Sequence, residues 1–326
     1  MATRGAKTKG GTPPVTFHGM VAGSPQMQEL FELVRRVART DASVLIRGET
    51  GTGKELVARA LHKLSRRAAK PFRAINCAML APDLLASELF GHVRGAFTGA
   101  VSERRGLFSL ADGGTLFFDE VAEIRGDIQA QLLRVLQERT FVPMGGTEPV
   151  TVNVRVLAAT HRSLRCEVEA GRFREDLMYR IRVVPLFLPP LRERTGDVER
   201  LAAHFVAEMN ERGERRIETT EDDALDAMLE HPWPGNVREL RNVIEYAFAV
   251  GDGPTLRFSE LPPEIRGQAP PECPNRQGPF GKERHRLTEA LESANGRKDH
   301  AAKSLGISRQ TLWRKLREHG LLPGAR

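Results

Sequence analysis

Cysteine is scarce in this chain of 326 residues. Cys77, Cys166 and Cys273 lie far apart, with neither metal-ligand spacing nor an even count. That argues against a disulfide framework or a cysteine-built metal site and fits a reducing, cytoplasmic compartment. Long apolar runs are missing too: none approaches the roughly 18 residues of a membrane span. The N-terminus lacks the apolar centre of a signal peptide. No internal repeat is visible. Acidic residues are absent from the first 14 positions, which hold Arg4, Lys7 and Lys9 beside glycine and proline. Residues 1–16 therefore read as a basic, disordered arm. What is present, 40% hydrophobic and 28% charged residues, is ordinary for a globular protein with room for two or three domains.

Charge is unevenly placed. From Lys282 to Arg326 there are eleven Lys and Arg against five acids, which accounts for +6 of the net +7. A small basic C-terminal unit on a nearly neutral body points to a separate nucleic-acid contact, with a solvated basic tail as the plainer alternative.

The chain is organised around Gly48, Glu49, Thr50, Gly51, Thr52, Gly53, Lys54 and Glu55. Before this run, residues 43–46 read as a short buried strand. After it, residues 56–61 carry apolar side chains at helical spacing. Strand, glycine turn, lysine and helix are the context of a phosphate-binding loop. Its glycines let backbone N–H groups converge on phosphate oxygens, and the helix N-terminus adds its positive end. Lys54 would reach the β- and γ-phosphates. Glu55 stands where Ser or Thr usually helps to hold Mg²⁺.

Four further strands are expected at 71–77, 115–118, 152–160 and 183–188, separated by helical stretches. That alternation implies an α/β unit with a parallel, helix-covered sheet. From Asp197 to about Ala249 the pattern is wholly helical, a candidate lid. Six prolines among glycines between 262 and 281 read as a linker. The expected division is 17–190 for the α/β part, 191–262 for the lid, 263–281 for the linker and 282–326 for the basic unit.

Asp119 and Glu120 close the strand at 115–118, so both carboxylates emerge where open α/β sheets place their ligands. Asp119 is placed to hold Mg²⁺, and Glu120 to polarise an attacking water as general base. The plainer reading is a solvated strand end. In the basic unit, Leu287, Ala290, Leu291 and Ala294 mark one helix, and Ala301, Ala302 and Leu305 a second stopped by Gly306. Leu312 and Leu316 mark a third, capped by Ser308. Two short helices about a tight turn are a helix-turn-helix signal, with a protein-binding three-helix bundle as the alternative. Arg309, Gln310, Thr311 and Arg314 lie on the third helix with donors for base edges, while Lys315, Arg317 and Lys303 suit phosphates. Trp313 is either a base contact or half-buried packing.

Residues 88–100 contain Gly95, Ala96, Phe97, Thr98, Gly99 and Ala100, the GAFTGA signature. With the phosphate loop and the acid pair, they make residues 17–265 resemble the central AAA+ domain of the sigma-54-dependent transcriptional activators. The C-terminal unit resembles the Fis-type helix-turn-helix that ends most of them. In that family a glutamate after the loop lysine is usual, so Glu55 supports the resemblance. Physically, Phe97 sits among residues too small to bury it, between glycines that permit a mobile excursion. It either folds back onto the core or, as the resemblance implies, is presented with Thr98 to sigma-54.

The resemblance carries over further positions. It implies that Asn76 pairs with Glu120 and restrains it, and that Thr160 senses the γ-phosphate. It implies that Arg174 and Arg180 complete a neighbouring subunit's ATP site, where spacing alone reads them as surface salt-bridge arginines. Arg238 has an independent argument, since a cation in the first turn of a helix opposes its dipole and is better explained by an anion. The resemblance names it the second sensor. The expected protein is thus an ATP- and Mg²⁺-dependent hexameric ATPase that binds enhancer DNA as a dimer and remodels sigma-54 RNA polymerase. The sequence shows no receiver or sensing domain before the ATPase, so control is expected from a separate regulatory protein, from expression level, or from a further part of the protein. A DNA-binding regulator that uses ATP only as an oligomerisation switch is the rival.

Overall fold

The computed structural model describes residues 15–97, 100, 102–213 and 215–268, and in the C-terminal part 287, 289, 290, 294, 298–307, 311, 312, 315 and 316. The chain divides into two compact units, residues 1–266 and 267–326, at a point within the proline-rich stretch.

A hairpin opens the larger unit, β1 (Val15–Phe17) against β2 (Met20–Ala22). Helix α1 (Pro25–Ala38) follows, with proline in its first turn, where no N–H is missed. It buries Met27, Leu30, Phe31, Val34 and Val37. Its C-terminal carbonyls are held from the sheet by Arg155, which donates to Val37 O at 3.0 Å and Ala38 O at 3.2 Å.

Next come β3 (Val44–Arg47), α2 (Lys54–Lys63), β4 (Phe72–Asn76) and α3 (Pro82–Phe90). A small antiparallel pair, β5 (Gly91–His92) and β6 (Arg104–Arg105), brackets the GAFTGA segment. Then follow α4 (Leu107–Leu110), β7 (Thr115–Asp119), α5 (Gly126–Glu138) and the paired β8 (Thr140–Phe141) and β9 (Val150–Thr151). The α/β part closes with β10 (Arg155–Thr160), α6 (Leu164–Glu169), α7 (Glu175–Ile181) and β11 (Val184–Phe187).

The central sheet has the order β11-β3-β10-β7-β4, with every pairing parallel. Its inner strands β3, β7 and β10 carry apolar runs because both faces are covered, whereas the edge strand β4 leaves Arg73 and Ala74 exposed. Alternate residues serve opposite faces: Leu116 and Phe118 join the core under α3, α4 and α5. Phe117 joins Val44, Ile46 and Leu157 in the core under α1 and α2. All five carboxyl ends therefore lie on one edge, where β3 leads into the glycine loop.

The lid holds α8 (Asp197–Asn210), α9 (Asp222–Glu230) and α10 (Asn236–Val250) around the fully buried Trp233. It was expected to be wholly helical. It also carries a two-residue parallel pair, Thr219–Thr220 with Thr255–Leu256, too short to leave an alternation in the sequence. In the smaller unit Leu287, Ala301, Ala302, Leu312 and Leu316 are buried together, as their spacing suggests. Its helix Lys298–Ser304 ends before Gly306, whose φ is +65°. Ser308, Arg309, Gln310, Trp313 and Arg314 lie outside the described residues. Among the described residues no helix is long and apolar enough to cross a membrane.

Candidate nucleotide site and the GAFTGA finger

The phosphate loop leaves β3 at Gly48, whose N–H donates to Thr160 O on the neighbouring strand. Gly51 and Gly53 then take φ of +81° and +102°, which a residue with a Cβ adopts only under strain. Lys54 opens α2 and is nearly buried, with its ammonium turned back into the loop. It donates to Gly48 O at 3.0 Å and Glu49 O at 3.3 Å, and lies 3.3 Å from Glu120 Oε1.

Strand β7 delivers the acid pair. Burial pushes the Asp119 carboxyl above the usual range, and the adjacent Glu120 charge pushes it further. Burial also pushes Glu120 up, but the hydrogen bond from His161 and the charge of Lys54 outweigh it and hold Glu120 below the usual range. Glu120 itself takes a left-handed φ of 54°, a strained turn that aims its carboxylate across the sheet edge.

One expected contact is corrected here, and one expected sensor is found buried. The Asn76 amide does not meet Glu120. It donates to Asp119 Oδ2 at 3.3 Å, because β4 and β7 pair Asn76 directly with Asp119. Thr160 does not face the site: it is fully buried, and its hydroxyl accepts from the Arg162 N–H at 3.0 Å. The next residue, His161, borders the cleft instead. Its Nδ1 lies 2.6 Å from Glu120 Oε2, and its backbone N–H donates to the same oxygen at 3.3 Å.

These groups line a cleft of about 760 Å³. One end is polar, with Lys54, Asn76, Asp119, Glu120 and His161. The other is apolar, with Met20 and Val21 of the hairpin facing Leu201 and Phe205 of the lid. Arg238 reaches it from the first turn of α10, beside Arg194 and Arg241. A polar end rich in donors beside an apolar slot suits a phosphate chain attached to a flat base. Glu55 makes an exposed pair with Arg59, 2.7 Å away, one helical turn on. Thr50 and Thr52 also border the cleft, and the Thr52 hydroxyl is spent on Glu49 O at 2.8 Å.

Sequence reasoning missed the hairpin wall, His161 and Arg194. Arg194 is 4% exposed and donates to Thr52 O at 3.1 Å, and burial pushes its guanidinium down to about 10. A charged residue among prolines and leucines just before the lid was the available signal. Arg174 and Arg180 are not brought to this cleft. Arg174 forks onto Asp176 at 3.0 and 2.7 Å, and Arg180 donates to Leu136 O at 2.9 Å.

On the finger, the Gly95 N–H donates to Ala100 O at 2.9 Å and the Ala100 N–H to Phe97 O at 3.0 Å, closing its base. Ala100 is buried, whereas Phe97 stays 41% exposed with its ring edge-on to His92 at 5.0 Å. His92 is in turn held by the Ser87 hydroxyl at 2.8 Å from Nδ1. Phe97 is thus neither packed into the core nor free: it rests on one ring. Thr98 and Gly99 lie outside the described residues.

Comparison with known proteins agrees with this geometry. Residues 20–187 match the model of the sigma-54 interaction domain, residues 192–277 an AAA+ ATPase lid domain, and residues 282–319 the Fis family of bacterial regulatory proteins. The regulatory protein AtoC of Escherichia coli is 44% identical over 314 residues, covering 93% of this chain and 68% of AtoC. The transcriptional regulatory protein ZraR of Klebsiella oxytoca is 46% identical over 309 residues, covering 94% of this chain and 70% of ZraR. The crystal structure of Brucella abortus NtrX in complex with ATP superposes with a TM-score of 0.69 at 35% identity, over 92% of this chain and 69% of that one. Thermotoga maritima RuvB shares the fold alone, with a TM-score of 0.51 at 15% identity. This chain belongs to the sigma-54-dependent transcriptional activators, and is an AAA+ ATPase followed by a Fis-type helix-turn-helix.

Proposed function

We propose that the chain binds enhancer DNA through its C-terminal unit and uses ATP hydrolysis to convert the closed complex of sigma-54 RNA polymerase into the open one. The observation that carries this reading is the joining, in one α/β unit, of two features. Lys54 and Glu120 approach to 3.3 Å at the polar end of the cleft, and a finger presents the half-exposed Phe97.

Lys54 leaves the carbonyls of Gly48 and Glu49 for the β- and γ-phosphates, and the N–H groups of residues 50–54 close around them. Arg238 adds a cation from the lid. Glu120, kept ionised by its neighbours, orients the attacking water and takes its proton. Asp119 fits a Mg²⁺ ion: its carboxyl is strained by burial and by Glu120, and a cation would relieve both. One carboxylate with phosphate oxygens and water is a usual Mg²⁺ environment. When bound, Mg²⁺ neutralises charge developing on the phosphoryl oxygens. Asn76 steadies the Asp119 carboxylate.

Arg174 and Arg180 serve the ATP of a neighbouring subunit, so the active form is a ring, a hexamer by family resemblance. Residues 95–100 touch sigma-54 and move with the nucleotide state. Ser308, Arg309, Gln310, Thr311, Arg314 and Lys315 contact DNA as part of a dimer on half-sites one helical turn (~34 Å) or a multiple of it apart. The protein works in the cytoplasm.

Turnover per subunit as a function of protein concentration tests the shared site. Completion between subunits requires a steep rise as rings assemble, lost in Arg174→Ala. A flat dependence would overturn it, and no turnover at any concentration would favour ATP as an oligomerisation switch alone.

A further inference from the structure

The inner side of the phosphate loop is built for a nucleotide, but its outer side is held by the lid. A loop that turns its N–H groups inward must turn the carbonyls of the same peptide units outward, and buried carbonyls need donors. Three successive carbonyls find them in residues 191–237. Asn236 Nδ2 donates to Thr50 O at 3.0 Å, the Val237 N–H to Gly51 O at 3.1 Å, and Arg194 Nη2 to Thr52 O at 3.1 Å. Asn236 Nδ2 also reaches Glu49 Oε2 at 3.1 Å, and Arg192 forks onto the same carboxylate at 2.9 and 2.6 Å.

Asn236 is the centre of this contact. It is fully buried and takes a left-handed φ of 55°, while its Oδ1 accepts the Leu191 N–H at 2.8 Å. The fit leaves no slack: a Cβ on Gly51 would stand 2.2 Å from Gly235 O. Asn236 therefore ties both ends of the lid segment to the crest of the loop.

We propose that Asn236 is a positioning residue for ATP, whose amide sets the peptide planes of the phosphate loop through Thr50 O and the Glu49 carboxylate. Seating of the lid and grip on the phosphates are then one event, and a lid that tilts loosens the loop. The proposal rests on the reading of residues 48–55 as the ATP site.

The test uses the full chain, with affinity for a fluorescent ATP analogue, turnover at saturating ATP, and thermal unfolding. Asn236→Asp keeps the size, the left-handed tolerance and an acceptor for Leu191. It replaces the donor with an oxygen facing Glu49 and Thr50 O. Affinity should fall at least about tenfold, with turnover at saturation within about threefold, since the reacting groups are untouched. Adding Glu49→Gln to that variant returns a donor to the pair and should recover about half of the loss on a logarithmic scale. Glu49→Ala alone, which removes a partner from the loop side, should weaken binding by about threefold and answers the question if Asn236→Asp does not fold.

Unchanged affinity in Asn236→Asp, or in Glu49→Ala should the first variant not fold, overturns the proposal. So does a loss in Asn236→Asp that Glu49→Gln leaves untouched, because the residue would then support only the lid's own fold. A wild-type chain that binds no ATP fails differently: it removes the nucleotide reading itself.

Discussion

The Glu120 carboxylate is held twice by His161, through Nδ1 at 2.6 Å and through the backbone N–H at 3.3 Å. Glu120 thereby keeps one orientation at the strand end, although its own φ is strained. A base held in one orientation spends less of the reaction barrier on alignment. His161→Ala should lower kcat by about tenfold with KM for ATP within about twofold, as expected for a group acting through the base. His161→Asn, whose amide can stand close to Nδ1, should recover most of it. Steady-state ATPase kinetics decide; a change confined to KM would place His161 on the nucleotide instead.

Asn76 meets Asp119 rather than Glu120, so its loss should register first on the metal. Without the amide, the Asp119 carboxyl loses a donor that steadies its ionised form, and its basicity and direction both change. Asn76→Ala should raise the Mg²⁺ concentration for half-maximal ATPase by about tenfold, on the scale of lost support for a metal ligand. A Mg²⁺ titration that overlays the wild type would remove Asn76 from this role.

His62 gives the ATPase a defined acid weakness. It lies on α2, 6% exposed, with Nδ1 3.0 Å from the Thr115 hydroxyl, and burial holds its pKa below the usual 6.5. The unfolded chain therefore takes up a proton more readily than the folded one. The contribution to stability is complete above about pH 6.5 and is lost as pH falls towards the depressed folded value. His62→Gln, which cannot be protonated, should flatten the fall in midpoint between pH 7 and 5.5 in urea unfolding. An equal slope in both proteins would assign the acid sensitivity elsewhere.

Thr98 follows Phe97 in the GAFTGA sequence, whose described residues 95–97 do not line the cleft. Thr98→Ala should leave ATP turnover within about twofold while abolishing sigma-54-dependent transcripts, as the proposed sigma-54 contact of residues 95–100 requires, since removing a group that takes no part in the reaction leaves its barrier unchanged. Parallel ATPase and transcription assays separate the outcomes. Joint loss of both would give Thr98 a structural task.

Much of this architecture was legible because strands and loops carry short-range signals. The inner strands are apolar runs that both covered faces of the sheet demand, and Gly51 and Gly53 of the loop occupy turns that need positive φ. What the sequence could not show depends on register and on distance along the chain. The Asn76–Asp119 pairing follows from the alignment of β4 with β7, which no local pattern encodes. Thr160 and His161 are adjacent on one strand end, and only the pleat decides that the first is buried and the second faces Glu120. Arg155 reads as a charge in a buried strand, and its purpose appears only when α1 ends above it with carbonyls to satisfy. The lid's hold on the loop joins Glu49 to Asn236 across 187 positions.

The most direct measurement is open-complex formation at a sigma-54 promoter with purified components, comparing wild type with Glu120→Gln in the presence of ATP and Mg²⁺. The substitution keeps the size of the side chain and should leave ATP binding within about threefold, while removing a general base should lower turnover by a factor of about 10² to 10⁴. The account predicts no open complexes from Glu120→Gln beyond those formed without activator. Open complexes at the wild-type rate from a variant that binds ATP but does not split it would contradict the coupling of hydrolysis to the finger.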